Sequence, residues 1–98
     1  MSRFAEQAQQ LLDAASAASA RGEACPEMTI LIGSGGGIEM IANSDWPLDS
    51  LMLERGARAV YRVTDGRGVV RVEGRDGSRR CVLEAAIKAG RGAFPARF

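Results

Sequence analysis

The residues with the clearest chemical potential are a glycine run, two cysteines and a set of arginines. Gly33, Ser34, Gly35, Gly36 and Gly37 follow an apolar stretch, and successive backbone amides without side chains can wrap a phosphate. The known phosphate loops ask for more. A Walker loop needs Gly-Lys followed by Ser or Thr, and a dinucleotide fingerprint needs a helix to open at its last glycine. Ile38 stands where the third fingerprint glycine belongs, and the residues after it alternate like a strand. The glycine run is therefore expected to be a hairpin turn.

Histidine-assisted serine or cysteine chemistry is excluded within one subunit, because the chain has no histidine. Cys25 lies between Glu23 and Glu27, acidic neighbours that disfavour a thiolate, and Cys81 reads as a buried strand residue. Two cysteines so far apart, without histidine, make neither a zinc site nor a disulfide framework. Asp45 and Asp49 are spaced like the start of a helix, where carboxylates favour the helix dipole. No metal or cofactor is expected, and the protein is not expected to be an enzyme.

Arginine is heavily preferred, with Lys88 the sole lysine. Arg58, Arg62, Arg71 and Arg80 fall on one strand face by alternation and offer an anion or nucleic-acid surface. Single-strand binders add aromatic stacking platforms to such a surface. Here Tyr61 alternates inward, Trp46 lies near a helix start, and Glu73 and Glu84 interleave with the arginines. A solvated ladder of ion pairs is the favoured reading and anion or nucleic-acid binding the alternative.

The elements that must position these groups follow from periodicity. Phe4, Ala8, Leu11, Leu12, Ala15 and Ala18 recur at helical spacing between Arg3 and Arg21, with Ser2 as a cap and Gly22 as a stop. Strands are expected over 28–32 and 38–42, then a short helix opened by Ser44, Asp45 and Pro47 and closed by Gly56. Three more strands are expected over 58–64, 69–73 and 79–84, joined by loops that each carry Asp-Gly. The reading is an α+β domain over residues 1–88 in the order α-β-β-α-β-β-β, with a five-stranded antiparallel sheet and two helices on one face. Residues 89–98 are expected to be a loosely ordered tail. The order of elements is similar to that of profilin-like and roadblock-type domains, which often act as dimeric scaffolds; no motif carries the likeness, and the second helix here is shorter.

Ninety-eight residues, 46% hydrophobic and 26% charged, suit one folded domain with a modest core. Charge is divided along the chain. Through Ala57 there are three basic residues against eight acidic, a net of −5, and from Arg58 ten against four, a net of +6. Such halves can neutralise one another within the fold or across a dimer. No apolar run is long enough to cross a bilayer, and MSRFAEQAQQ lacks the apolar stretch of a secretory leader, so a cytoplasmic location away from membranes is expected.

Alternation puts Ala59, Tyr61, Val63, Val70, Val72, Cys81 and Leu83 on the helix-covered sheet face, with Met28, Ile30, Ile32, Ile38 and Met40 continuing it. Leu31, Ile41, Val60, Val69 and Val82 then project from the other face, which no helix is expected to cover. Five such positions predict a small non-catalytic interaction module whose partner is a second copy of itself or an unidentified protein. Association is expected through that outer face or through an exposed edge strand.

Overall fold

The computed structural model describes residues 3–23, 27–66 and 68–86. Ser2, Cys25 and the expected tail over residues 89–98 lie outside the described residues. Helix α1 (Arg3–Ala20) buries Phe4, Ala8, Leu12 and Ala15, one residue per turn along a single stripe. It ends where the sequence places the stop. Gly22 takes the left-handed conformation, with its amide donating to Ser19 O and the Glu23 amide to Ala18 O, the reciprocal pair that satisfies the last carbonyls of a helix.

Strands β1 (Met28–Gly33) and β2 (Ile38–Ile41) are joined by the glycine run as a tight hairpin. Gly33 N–H donates to Gly37 O at 2.8 Å, Gly36 N–H donates to Gly33 O at 2.9 Å, and Gly36 has φ of 92°. The loop is thus a three-residue turn closed by a left-handed glycine. Helix α2 (Leu48–Arg55) follows and ends at left-handed Gly56. At its start Pro47 stands at the cap position without a side-chain bond; Ser44 and Asp45 do not cap it, and Ser44 Oγ instead accepts the Trp46 amide at 3.3 Å. Strands β3 (Ala57–Gly66), β4 (Val69–Asp76) and β5 (Arg79–Ala86) complete the chain.

The five strands form one sheet in the order β2-β1-β3-β4-β5, and every neighbouring pair is antiparallel. The α+β class and the α-β-β-α-β-β-β order are as the sequence predicts. The position of α2 is not. Because β2 and β3 both run antiparallel to β1, they are parallel to each other, and the chain must cross over β1 to connect them. Helix α2 makes that crossover on the face opposite α1. Leu51 packs there with Leu31 and Val60, joined by Ile41, Leu48, Met52 and Ala57. The other face carries the larger core, in which Phe4, Ala8, Leu12 and Ala15 of α1 meet Ile32, Ala59, Tyr61, Val63, Val70 and Val72. The helices therefore sandwich the sheet, and the expectation of both helices on one face is corrected by this second cluster.

The segment after β2 is tied across the α2 face by polar groups. Thr29, fully buried, donates through Oγ1 to Asn43 Oδ1 at 2.7 Å, and Asn43 Nδ2 donates to Val63 O at 2.8 Å. A buried hydroxyl costs free energy without such a partner. Arg62 reaches the same segment, donating to Trp46 O at 2.6 Å.

Candidate functional site

The five residues predicted as an interface are not brought together on one exposed face. Leu31 and Val60 are 2% and 0% exposed, buried against Leu51, and Ile41 packs at the border of that cluster. Only Val69 and Val82 remain exposed, and they stand apart, Val69 opposite Ala86 and Val82 opposite Glu73. Strand parity was read correctly for all five. What fails is the premise of an uncovered face, because α2 covers the β1–β3 part of it.

The four predicted arginines also separate. Arg62, Arg71 and Arg80 share the α2 face of β3, β4 and β5 and are interleaved with carboxylates. Arg71 lies 3.2 Å from Glu73 and 3.6 Å from Glu84. Arg75 of β4 bonds Asp49 in the first turn of α2, and Arg80 approaches the same carboxylate at 3.9 Å. An open cleft of about 340 Å3 lies between α2 and these strands, and the acidic side chains of Asp49 and Glu73 line it beside Arg62, Arg75 and Arg80. The ladder of opposite charges anticipated from Glu73 and Glu84 is present, extended by Asp49, and leaves this face close to neutral. Exposed pairs of this kind contribute a few tenths of a kcal/mol each.

Arg58 turns to the α1 side of the sheet. There it lines a cleft of about 270 Å3 with Arg3, Gln7, Tyr61, Asp76 and Arg79, under the first turn of α1. Arg79 lies 3.1 Å from Asp76, and its guanidinium stacks 5.5 Å over the Phe4 ring. Phe4 in turn stacks on Tyr61 at 5.6 Å. Arg3 and Arg79 were not linked to Arg58 by sequence reasoning, since they come from a helix start and a turn that only the fold joins.

Tyr61 forms the floor of this region. It is 1% exposed, and its hydroxyl donates to Gln7 Oε1 at 2.9 Å and lies 3.3 Å from Phe4 O. Burial pushes its pKa up to about 12, with Asp76 adding to the shift and Arg58 and Arg79 opposing it. Burial also raises the Cys81 thiol on β5, which lies across Gly74 from Tyr61. A phenol whose folded pKa lies above its ordinary value near 10 stabilises the fold fully below about pH 10, and that contribution is lost as pH rises towards about 12. Urea denaturation should therefore show wild-type stability falling by about 2 kcal/mol across that window. Tyr61→Phe should flatten the fall, leaving the smaller slope due to Cys81; equal slopes in the two proteins would show that the phenol is not the titrating group.

The sheet has one surface that the residue pattern did not flag. Ile38 and Met40 alternate inward as expected, yet they are 68% and 65% exposed, because α1 lies over β3, β4 and β5 and leaves strand β2 uncovered. With Leu11, Ile30 and Ile32 they border an apolar cleft of about 350 Å3 beside α1. Among the described residues, strand β2 is also one of the two edges of the sheet, β5 being the other. The Gly33–Gly37 bond fixes the alternation of the β1–β2 ladder, so Glu39 and Ile41 bond inward to β1. The amides and carbonyls of Ile38 and Met40 then face outward from the edge.

Among the described residues, no group of three or more His, Cys, Asp or Glu side chains is placed to hold a metal ion, and no helix is long and apolar enough to cross a membrane. No protein-family model, no curated protein and no solved structure matches this chain.

Proposed function

We propose that this protein is a small, non-catalytic interaction module whose partner is a second copy of itself, joined through the edge strand β2. The observation that carries this reading is an unpaired edge bearing two large apolar side chains, Ile38 and Met40, beside an apolar cleft. Edges of this kind pair readily with another strand, and natural sheets usually blunt them with charge, proline or a bulge. No proline or lysine occurs between Ile38 and Ile41, and the single charge, Glu39, points to the α2 side and is engaged by Arg55 at 2.7 Å.

The sequence of β2 also favours one register with its own copy. Antiparallel pairing about Met40 sets Met40 against the second copy's Met40 and Glu39 against its Ile41, with no like charges opposed. Centring the pair on Glu39 would oppose two carboxylates directly, which costs stability. In the Met40 register the outward amides and carbonyls of both edges meet as bonded pairs, and the apolar strip beside each α1 becomes continuous. The contact is small compared with the roughly 1,200–2,000 Å2 of stable interfaces, so a weak, concentration-dependent dimer is expected.

Sedimentation velocity over a wide concentration range should show a mass moving from monomer to dimer. Met40→Asp should hold the protein monomeric while leaving its melting temperature nearly unchanged, because the site is exposed. A wild-type chain that stays monomeric at the highest concentrations, or a Met40→Asp variant that dimerises like wild type, removes the proposal.

A further inference from the structure

We propose that the cleft under the first turn of α1 is a binding site for a small phosphate group, either inorganic phosphate or a phosphate monoester. Three guanidinium groups, from Arg3, Arg58 and Arg79, line it against one carboxylate, Asp76. Asp76 is engaged by Arg79 at 3.1 Å. Among the described residues neither Arg3 nor Arg58 has an ion-pair partner, so the cleft keeps a positive surplus of two charges from four ionised groups. On the α2 face, by contrast, Arg71, Arg75 and Arg80 each lie within 4 Å of a carboxylate, and Arg62 donates to Trp46 O.

The three arginines come from α1, β3 and β5, and the fold fixes their spacing. Arg79 is held by the Phe4 ring and Asp76, and Arg58 begins the run into the buried Ala59 and Tyr61. Gln7 contributes a neutral donor: with its Oε1 accepting the Tyr61 hydroxyl, its amide NH2 group is left for another acceptor. The positive end of the 18-residue α1 adds to the same field. Planar guanidinia suit the oxygens of phosphate, and a dianion matches the surplus charge.

The geometry also limits what is attached to the phosphate. A cleft of about 270 Å3 admits a small group. Its two aromatic rings, Phe4 and Tyr61, are buried and engaged with each other and with Arg79, which leaves a base little ring surface to stack on. A small phosphorylated molecule fits these constraints; a nucleic-acid strand does not.

The test is a titration of the isotope-labelled protein with inorganic phosphate, followed by amide chemical shifts, against sodium chloride at matched ionic strength. Saturable shifts are expected at Phe4, Gln7, Arg58 and Arg79, with a dissociation constant of about 1 mM. Arg58→Gln and, separately, Arg3→Gln should each weaken binding about tenfold without changing the melting temperature. Arg80→Gln, on the other face, should leave binding as in wild type. Glycerol 3-phosphate in a parallel titration separates the sources: tighter binding than phosphate assigns a monoester, and equal binding assigns the free ion. Shifts that chloride reproduces, that do not saturate, or that survive both Arg58→Gln and Arg3→Gln overturn the site. Because Met40 does not line this cleft, Met40→Asp should still bind phosphate in a saturable way, so failure of the dimer proposal and failure of this one are told apart.

Discussion

Val60→Asp is expected to unfold the domain. Val60 is fully buried between the sheet and α2, with Leu31 and Leu51 as neighbours. A carboxylate placed there must be protonated or drag water under the helix, and either route costs about 4 kcal/mol or more. A domain of this size has a total stability at the lower end of about 5–15 kcal/mol, so the variant should lose its cooperative urea transition or show it far earlier. Val60→Ala removes only methyl groups and should cost about 2 kcal/mol, which keeps the protein folded and measurable. Had this residue lain on an uncovered interface, the aspartate would have dissociated a dimer and spared the fold. The two outcomes are opposite in circular dichroism, and a Val60→Asp protein with wild-type stability would show that α2 does not cover this face. The contrast with Met40→Asp makes the point within one experiment, since the same charge enters an exposed position there.

The second large effect is expected at Gly74, in the middle of β4. Its side-chain position points towards α1, and a Cβ built there would lie 3.0 Å from Cys81 Sγ, Phe4 Cε1 and Tyr61 Cδ1 at once. Gly74 pairs with Tyr61 on one side and Cys81 on the other, and the Phe4 ring closes over it. Strand propensity and unfolded-state entropy both favour replacing glycine, by up to about 1 kcal/mol each. Packing opposes them. Three neighbours must give way together, two of them rigid rings stacked on each other, and overpacking of this kind costs about 1–3 kcal/mol. Gly74→Ala should therefore be destabilising by about 1 kcal/mol and Gly74→Val by about 3 kcal/mol, read from denaturant midpoints. An unchanged or stabilised Gly74→Val protein would mean that Phe4 does not sit over this position. Because Phe4 also carries Arg79, the valine variant should loosen the arginine cleft as well.

Much of the architecture is legible in the residues because local rules and the fold agree. The α1 stripe, the left-handed stops at Gly22 and Gly56, the glycine hairpin and the parity of the strands, apart from the start of β3, follow from spacing alone. The side taken by α2 is set by strand order, which spacing does not reveal. Once β3 lies beside β1, β2 runs parallel to β3 and their connection must cross β1 on one face of the sheet. A clue was present in the apolar residues themselves. Leu31, Ile41 and Val60 come from the three strands that α2 spans, whereas Val69 and Val82 come from the two that it leaves largely open. Leu48, Leu51 and Met52 on α2 needed a matching surface, and those three residues supply it.

The arginines were harder for a related reason. Alternation assigns Arg58 to the same face as Arg62, Arg71 and Arg80, but Arg58 stands at the start of β3, where its long side chain turns over the end of the sheet. Its true neighbours, Arg3 and Arg79, are distant in sequence and meet it only through α1 and the β4–β5 turn. The exposure of Ile38 and Met40 likewise depends on how far α1 reaches across the sheet, which is a matter of packing and not of period.

The strand order also decides when the parts of this chain can meet. Strands β3, β4 and β5 succeed one another directly, and β1 and β2 are a hairpin, so each set assembles from neighbours in sequence. The seam between the sets is different: Met28 lies opposite Val63 and Ile32 opposite Ala59, so the hairpin and the whole of α2 must be looped out before that seam closes. Such closure spends chain entropy ahead of any reward, which makes it the slow event in folding. The pairing of greatest sequence separation thus falls inside the finished sheet, between its second and third strands.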